Sequence, residues 1–431
     1  MPLTHHRASD YSYPIREIVD IANLVSPHIS LPIRWENIGD PVSRGHKMPE
    51  WMLDLICKTL PEATGYCPTR GVEKTREFLA NQHNREPGPT IQAKDILFFN
   101  GLGDAIASLM TVLSPNVRMI LPEPGYPSYS TLEALRCEHR SIHYELLASN
   151  DWQVDLDDLE NKLKNHPEIR LLLLLQPSNP LGTLMSLKTM QGLAELARKY
   201  SLIVISDEIY REHVFEPEEF VSWQAVSEDL PSILLKGISK DLPWPGARCG
   251  WMEFINCQHS EELTELQKVL EKKKMLEVCA TTLPQLVIPK LFSDPRLLPW
   301  YEESNRFYAR RQKLVQDVFL SVPGVQVIQA QAAFYTSVLI PSIPLCDLIH
   351  PPFTPELNLV LANTWKTASS DTRFCLWLLI QTGICLVPLS SFGGRLQGFR
   401  MTVLQKDEAL FELLLNDLKS SLKQAQLLKA A

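Results

Sequence analysis

A lysine placed just past an apolar strand, with glycine and proline behind it, is the residue whose setting most suggests chemistry. Lys240 closes the run Gly237-Ile238-Ser239-Lys240 and precedes Pro245-Gly246-Ala247-Arg248-Cys249-Gly250. A lysine so placed can reach into a cleft, shed water and attack an aldehyde. By itself it would read as a solvated surface residue, but four further runs change its meaning. Leu171-Leu172-Leu173-Leu174-Leu175 ends in Gln176-Pro177-Ser178-Asn179-Pro180-Leu181-Gly182-Thr183, where proline fixes and glycine frees the backbone so that Asn179 is aimed at one point. Leu202-Ile203-Val204-Ile205-Ser206-Asp207-Glu208-Ile209-Tyr210 sets an aspartate at the end of a buried strand, the edge where open α/β sheets bind ligands; capping of a following helix is the other use of Asp207. Phe98-Phe99-Asn100-Gly101-Leu102-Gly103 reads as strand, glycine turn and helix start, leaving amides free for a phosphate. Ile106 fills the third glycine position of a dinucleotide fingerprint, so that motif fails. Glu123-Pro124-Gly125-Tyr126-Pro127-Ser128-Tyr129 offers an aromatic face for stacking.

Taken in order, Tyr126, Asn179, Asp207 with Tyr210, Lys240 with Arg248, and finally Arg400 resemble the fold type I pyridoxal-phosphate enzymes of the class I/II aminotransferase family. The resemblance runs from Asn37-Ile38-Gly39-Asp40-Pro41 to Gly398-Phe399-Arg400, and its specificity lies in the combination of N-P-L-G-T, D-E-I-Y and S-K with an arginine eight residues later. It implies pyridoxal 5'-phosphate as cofactor and Lys240 as the Schiff-base lysine and proton shuttle. It further implies Asp207 against the pyridinium nitrogen, Tyr210 and Asn179 on the phenolic oxygen, and Tyr126 stacked on the ring with Tyr129 behind Asp207. Ser239, Arg248 and the amides of Gly101, Leu102 and Gly103 would hold the phosphate, a bidentate task suited to arginine. Arg400 would grip the substrate α-carboxylate, helped by the backbone at Gly39 and by Asn179. Tyr66, in Gly65-Tyr66-Cys67-Pro68, matches the tyrosine that crosses to the partner subunit's phosphate, which implies a homodimer with shared active sites. Two positions depart from the pattern: Gly237 stands where many relatives carry a hydroxyl, and Leu102 where a polar residue is common. No second arginine is marked for a side-chain carboxylate, so the expected substrate is a small or apolar α-amino acid.

The elements that must position these residues follow from periodicity. Between about residues 90 and 255, short apolar runs alternate with helix-like stretches, the pattern of crossovers that build a mainly parallel sheet. Strands are predicted at Ile96-Phe99, Arg118-Leu121, Leu171-Leu175, Leu202-Ser206, Ser232-Leu235 and Cys249-Phe254, with helices over Gly103-Leu113, Leu132-Arg136 and Ser186-Tyr200. Helices over Ser260-Glu277, Pro284-Phe292 and Tyr301-Phe319 lead to a second α+β region with strands at Val325-Ile328, Ala333-Ile340, Gly383-Leu386 and Gly398-Val403 and a closing helix over Lys406-Lys423. The expected fold is α/β: a large domain with a mainly parallel seven-stranded sheet flanked by helices, plus a smaller α+β domain. The division reads as an N-terminal arm and part of the small domain (1–48), a large cofactor-binding domain (49–298) and a small C-terminal domain (299–431). Residues 341–370 read as an irregular insertion and a place for unusual substrate contacts.

Composition narrows the function. The 431 residues are 45% hydrophobic and 21% charged, too long for one core and ordinary for a globular chain. A net charge of −8 without a long basic run goes against a nucleic-acid partner. Nine scattered cysteines with no C-x-x-C pair read as reduced thiols, and no metal is expected. The first residues lack the apolar core of a secretory signal, and the most apolar stretch, Phe374 to Leu389, is broken by Gln381, Gly383 and Pro388, so no membrane span is expected. The expected protein is a soluble cytoplasmic aminotransferase that moves an amino group from an amino acid to a 2-oxo acid by a ping-pong mechanism. Two other readings stay open: an elimination or ring-closing enzyme on the same scaffold, and a ligand-sensing module.

Overall fold

The computed structural model describes Leu3, residues 11–340 and residues 354–430. Near its N-terminus the two-residue strand β1 (Arg34–Trp35) follows a helix, Pro14–Val25, that carries Pro in its first turn. The main sheet then takes up β2 (Ile96–Phe99), β3 (Arg118–Glu123), β4 (Ile142–Leu147), β5 (Gln153–Val154), β6 (Ile169–Leu175), β7 (Ile203–Asp207), β8 (Ser232–Gly237) and β9 (Gly250–Ile255). Its order is β2-β9-β8-β7-β6-β3-β4-β5. The pairs from β8 through β4 are parallel, and β9 and β5 run antiparallel to their neighbours.

The continuous leucine run exists because this sheet is covered on both faces. Leu171, Leu173 and Leu175 pack with Phe99 and Ile205 on one side, while Leu172 and Leu174 pack with Phe98 and Val204 on the other. The sheet has eight strands where seven were expected, the eighth being the two-residue edge strand β5. Strand β4 escaped the search for apolar runs because His143 and Glu145 interrupt it; it is an alternating strand near the sheet edge, with Tyr144 fully buried.

A four-stranded sheet orders β10 (Gln326–Val327), β11 (Tyr335–Leu339), β14 (Gly398–Thr402) and β13 (Val387–Pro388), all antiparallel. The predicted strand Gly383-Leu386 is divided: β12 (Ile384–Cys385) pairs with β1, and the chain then turns into β13. The pairing of β1 ties residues before the main sheet to residues after it, and helix Pro14–Val25 buries Ile18, Ala22 and Val25 against Leu357, Leu361 and Leu376. The predicted irregular insertion is corrected in its described part. Residues 355–367 form a helix, capped by Thr354, whose side chain accepts the Leu357 N–H, and residues 341–353 lie outside the described residues. Among the described residues no helix is long and apolar enough to cross a membrane.

The turn after β6 joins the two sheets. Gly182 lies at φ +71°, and its carbonyl accepts the N–H groups of Gln331 and Ala332. A Cβ there would lie 2.7 Å from Ala330 Cβ and 2.8 Å from Ala332 O. Gly182→Ala therefore loses stability, by about 1–2 kcal/mol from the left-handed backbone alone and more from the overlap. Chemical denaturation of the variant beside the native protein checks this.

Candidate active site

At the C-terminal edge of the parallel strands opens a cavity of about 730 Å³. Its wall includes Gly39, Leu102, Gly103, Tyr126, Asn179, Asp207, Tyr210, Ser239, Lys240, Arg248 and Arg400, residues up to 361 positions apart in the chain. Of the residues singled out from sequence, Gly101, Tyr66 and Tyr129 are outside this wall. Gly101 is immediately behind it, since a Cβ there would lie 2.6 Å from Arg248 Nη2. Tyr66 is 85% exposed on the surface of its own chain.

Lys240 stands on a single helical turn, Ile238–Asp241, directly after β8. Its Nζ donates to Gly39 O at 2.8 Å. That approach requires glycine, because a Cβ on residue 39 would lie 1.9 Å from Tyr335 Oη. His213 Nε2, facing the Lys240 carbonyl at 2.7 Å, donates to it and fixes the turn from below. At Gly237, one of the two positions that depart from the expected pattern, a Cβ would lie 3.0 Å from Cys249 O, just before β9, and 3.1 Å from Gly250 Cα, so the close approach of the two strands favours glycine there.

Asp207 ends β7 as a buried carboxylate with hydrogen bonds on one side. Tyr129 Oη donates to its Oδ2 at 2.8 Å and the Ile209 N–H to its Oδ1 at 3.2 Å. Burial pushes its pKa up to about 6, against the opposing pull of these two donors. Burial also holds the Tyr129 phenol well above its ordinary value, so it stays a donor. Among the described residues this carboxylate has no cationic partner, and it is suited to a cation placed opposite it.

Arg400, on β14, is 1% exposed and has no carboxylate partner among the described residues. Its Nη1 donates to Asn179 Oδ1 at 3.0 Å and its Nη2 to Asn37 O at 2.5 Å, while Nε has no partner. The guanidinium lies 4.0 Å above the Tyr335 ring and 4.9 Å from that of Phe392. A buried cation with only neutral partners is an anion site. Asn179 is aimed there by its turn, in which Ser178 N–H bonds Thr183 O and Ser337 Oγ bonds Pro180 O.

A second group suited to an anion also lines the cavity. Among the described residues Arg248, in left-handed backbone, reaches only the carbonyls of Pro245 and Asn100, at 3.2 and 3.4 Å. Beside it begins the helix Leu102–Val112, whose first-turn N–H groups have no acceptor within the helix. Leu102 presents its backbone N–H there, a role that its apolar side chain does not hinder.

Sequence reasoning missed Tyr335, Tyr13, Ile15, Arg16 and Arg44, which all line the cavity. Tyr210 Oη donates to Tyr335 Oη at 3.2 Å. Burial raises the Tyr335 pKa, yet Lys240 and Arg400 beside it bring the net shift below the ordinary value. A tyrosine followed by Thr336 and Ser337 in a strand buried along most of its length was the available signal. The sequence marks no second arginine for a side-chain carboxylate; besides Arg248 and Arg400, the fold brings Arg16 and Arg44 to the cavity wall. The described part of residues 341–370 contributes nothing to the wall.

Residues 37–416 match the family of class I and II aminotransferases. The chain belongs to that family. It is 39% identical over 426 residues to an uncharacterised aminotransferase of Methanocaldococcus jannaschii, covering 98% of each chain. It is also 28% identical over 302 residues to the glutamate-pyruvate aminotransferase of Escherichia coli K12, covering 69% of this chain and 73% of the relative. In structure it is similar to an alanine aminotransferase from Pyrococcus furiosus, with a TM-score of 0.85 at 24% identity over 98% of this chain and all of the other. The protein is therefore an enzyme, a transaminase dependent on pyridoxal 5'-phosphate, and the readings as a ring-closing enzyme or a sensor are not favoured.

The residues present fit that cofactor. Arg248, without a carboxylate partner among the described residues and beside the amides of Leu102 and Gly103, suits the phosphate, and the Asp207 carboxylate, uncompensated among those residues, suits a protonated ring nitrogen. Lys240 reaches the space between them.

Proposed function

We propose that the enzyme transfers the amino group of a small or apolar α-amino acid, of the alanine kind, to a 2-oxo acid in two ping-pong half-reactions. The observation that carries this reading is the buried Arg400 guanidinium, unpaired by any carboxylate among the described residues and facing the same cavity as Lys240. Ile15, Trp35 and Ile38 on the wall suit a short apolar side chain. The names of the alanine and glutamate-pyruvate relatives support it too.

The cofactor, when bound, supplies an aldehyde carbon for the amino group and a ring that accepts an electron pair. Arg400 and Asn179 hold the substrate carboxylate, which fixes the direction of the Cα–H bond. Lys240 Nζ takes the proton from that Cα as general base. Asp207 keeps positive charge at the ring nitrogen, and Tyr210 holds the phenolic oxygen. Ser239, Arg248 and the amides of Leu102 and Gly103 would hold the phosphate, while Tyr126 would cover the ring face; the Gly101 amide, expected from sequence to join them, donates instead to Phe99 O at 2.8 Å. The test is the absorbance of the yellow holoenzyme mixed with single amino acids. Bleaching to the amine form together with release of the 2-oxo acid supports the reading, and ammonia or a cyclic product overturns it.

We also propose a homodimer with shared sites. Tyr66, Leu276, Met275 and Val278 are exposed by 85, 87, 55 and 47%, an unusual apolar surface. Thr282 Oγ1 donates to Gly65 O at 3.0 Å and ties the Tyr66 loop to the end of that segment. If Tyr66 serves the second copy, mixing Lys240→Ala with Tyr66→Arg restores activity after subunit exchange, because one site of each mixed dimer is intact. No recovery with exchange confirmed by mass places Tyr66 elsewhere. The scattered described cysteines, all free, support a cytoplasmic location.

A further inference from the structure

Next to the Lys240 turn a buried imidazole is held between two acceptors. His213 ends the short turn Arg211–His213 that follows Tyr210, and it is 1% exposed. Its Nε2 lies 2.7 Å from the Lys240 carbonyl oxygen and its Nδ1 3.1 Å from Oδ1 of Asn305, on the long helix Leu297–Phe319. A carbonyl oxygen only accepts, so Nε2 carries a proton. The Asn305 amide is oriented by its other end, where Nδ2 donates to Glu212 O at 2.9 Å and to Val214 O at 3.1 Å. Turned over, it would set its oxygen against those two carbonyl oxygens. Asn305 therefore presents an acceptor to Nδ1, and that contact is a hydrogen bond only when Nδ1 is protonated too.

Aromatic rings close in the rest of the imidazole. Tyr301, Tyr308 and Phe334 meet it edge-on, with centroids 6.5, 5.4 and 5.7 Å away. The Phe334 ring also lies 5.8 Å from Lys240 Nζ. The backbone of His213 is tied on both sides, its N–H to Tyr210 O at 2.9 Å and its carbonyl to the Ala333 N–H at 2.7 Å. Among the described residues, the charged and titratable groups around the ring are Glu212 beside it, Lys240, Tyr301 and Tyr308 on the helix, and His46 from the loop before residue 50. Burial draws the imidazole below its ordinary pKa, against the two acceptors and Glu212, which favour its charged form. The ring thus keeps its Nε2 proton in both states and gains the Nδ1 proton on acidification.

We propose that His213 is a positioning residue for Lys240: its Nε2–H grips the Lys240 carbonyl, and its Nδ1–H, once added, fastens that grip to helix Leu297–Phe319 through Asn305. The single turn Ile238–Asp241 has few hydrogen bonds of its own with which to hold a direction. A lysine that moves a proton at Cα must meet it within hydrogen-bond distance, and a misplacement of about 1 Å can cost about a hundredfold in rate. Arg400 and Asn179, proposed to hold the substrate carboxylate, are not among the ring's hydrogen-bond partners, so its loss falls on the catalytic step rather than on binding. The inference rests on the assignment of Lys240 above.

The experiment compares His213→Gln with His213→Asn, because a glutamine amide N–H can stand where Nε2 stands and an asparagine amide stops at the place of Nδ1. Half-reactions of the holoenzyme are followed with the amino acid that bleaches the native protein fastest. His213→Gln is expected to keep most of the limiting rate and His213→Asn to lose about ten- to a hundredfold, the scale of a misplaced reacting group. The substrate concentration at half-rate should stay native in both, with melting temperature and cofactor content as controls. Equal limiting rates in the two variants overturn the inference, whether both stay native or both fall. The second readout is nitrogen-15 NMR of the native protein labelled in histidine. The His213 ring should be protonated on Nε2 throughout from about pH 8 to about pH 5 and gain the Nδ1 proton toward the acid end. Asn305→Ala should move that midpoint down. A ring protonated on Nδ1 alone overturns the inference, as does a midpoint that Asn305→Ala leaves in place. A borohydride adduct on another lysine would overturn the Lys240 assignment and leave the NMR signature intact, which tells the two failures apart.

Discussion

Lys240→Ala is expected to fold, to take up pyridoxal phosphate and to lose transamination by at least about 10⁴-fold, because one side chain acts as both nucleophile and general base. Folding should survive because the Nζ makes a single hydrogen bond, to Gly39 O, and the turn that carries it is held by His213 through the main chain. Cofactor uptake should survive because Arg248 and the first turn of helix Leu102–Val112, the proposed phosphate site, are held independently of the lysine. The chemical check is borohydride reduction of the native holoenzyme followed by peptide mass analysis. The adduct should sit on Lys240 and be missing from the variant. Attachment at any other lysine overturns the assignment. Residual activity that an added small primary amine increases would show that the missing function is proton transfer at Cα.

Asp207→Ala should cost roughly two orders of magnitude or more in rate, the scale of removing a preorganised charge partner from a transition state. Its pH signature distinguishes an electrostatic role from a structural one. In the absence of a cation opposite it, the Asp207 carboxyl has its pKa raised by burial from 3.8 to about 6. A carboxyl raised in the folded state contributes stability below pH 3.8 that is lost as the pH rises through about 6. A positive ring nitrogen offsets that loss by pairing with the ionised form. The difference in Tm between cofactor-loaded and cofactor-free protein should therefore widen as the pH rises from about 4 to about 6. In Asp207→Asn this part of the widening should vanish. An identical pH profile in the native protein and Asp207→Asn would mean that another group faces the ring nitrogen.

The sequence by itself determined those parts of the protein whose signals are local. The leucine run of β6, the Pro-Asn-Gly turn after it, the aspartate ending β7 and the lysine after β8 can be read within a dozen residues each, because strand burial and turn conformation depend on neighbouring side chains and backbone. Their chain order carried the family resemblance. What only the tertiary structure decided is which distant groups face one another. Arg400 meets Asn179 from 221 positions away and Asn37 from 363, and no periodicity encodes that meeting. The same holds for Arg16: as a residue on a surface helix it reads as solvated, and it becomes part of the cavity because Tyr13 bonds Tyr126 and Ile15 packs on Phe392. The alternating strand β4, the division of residues 383–388 between two sheets and the helix at 355–367 were likewise set by what packs against them. Local sequence fixes a residue's backbone; the partner that gives its charge a role is chosen by long-range packing, which no short stretch of chain contains.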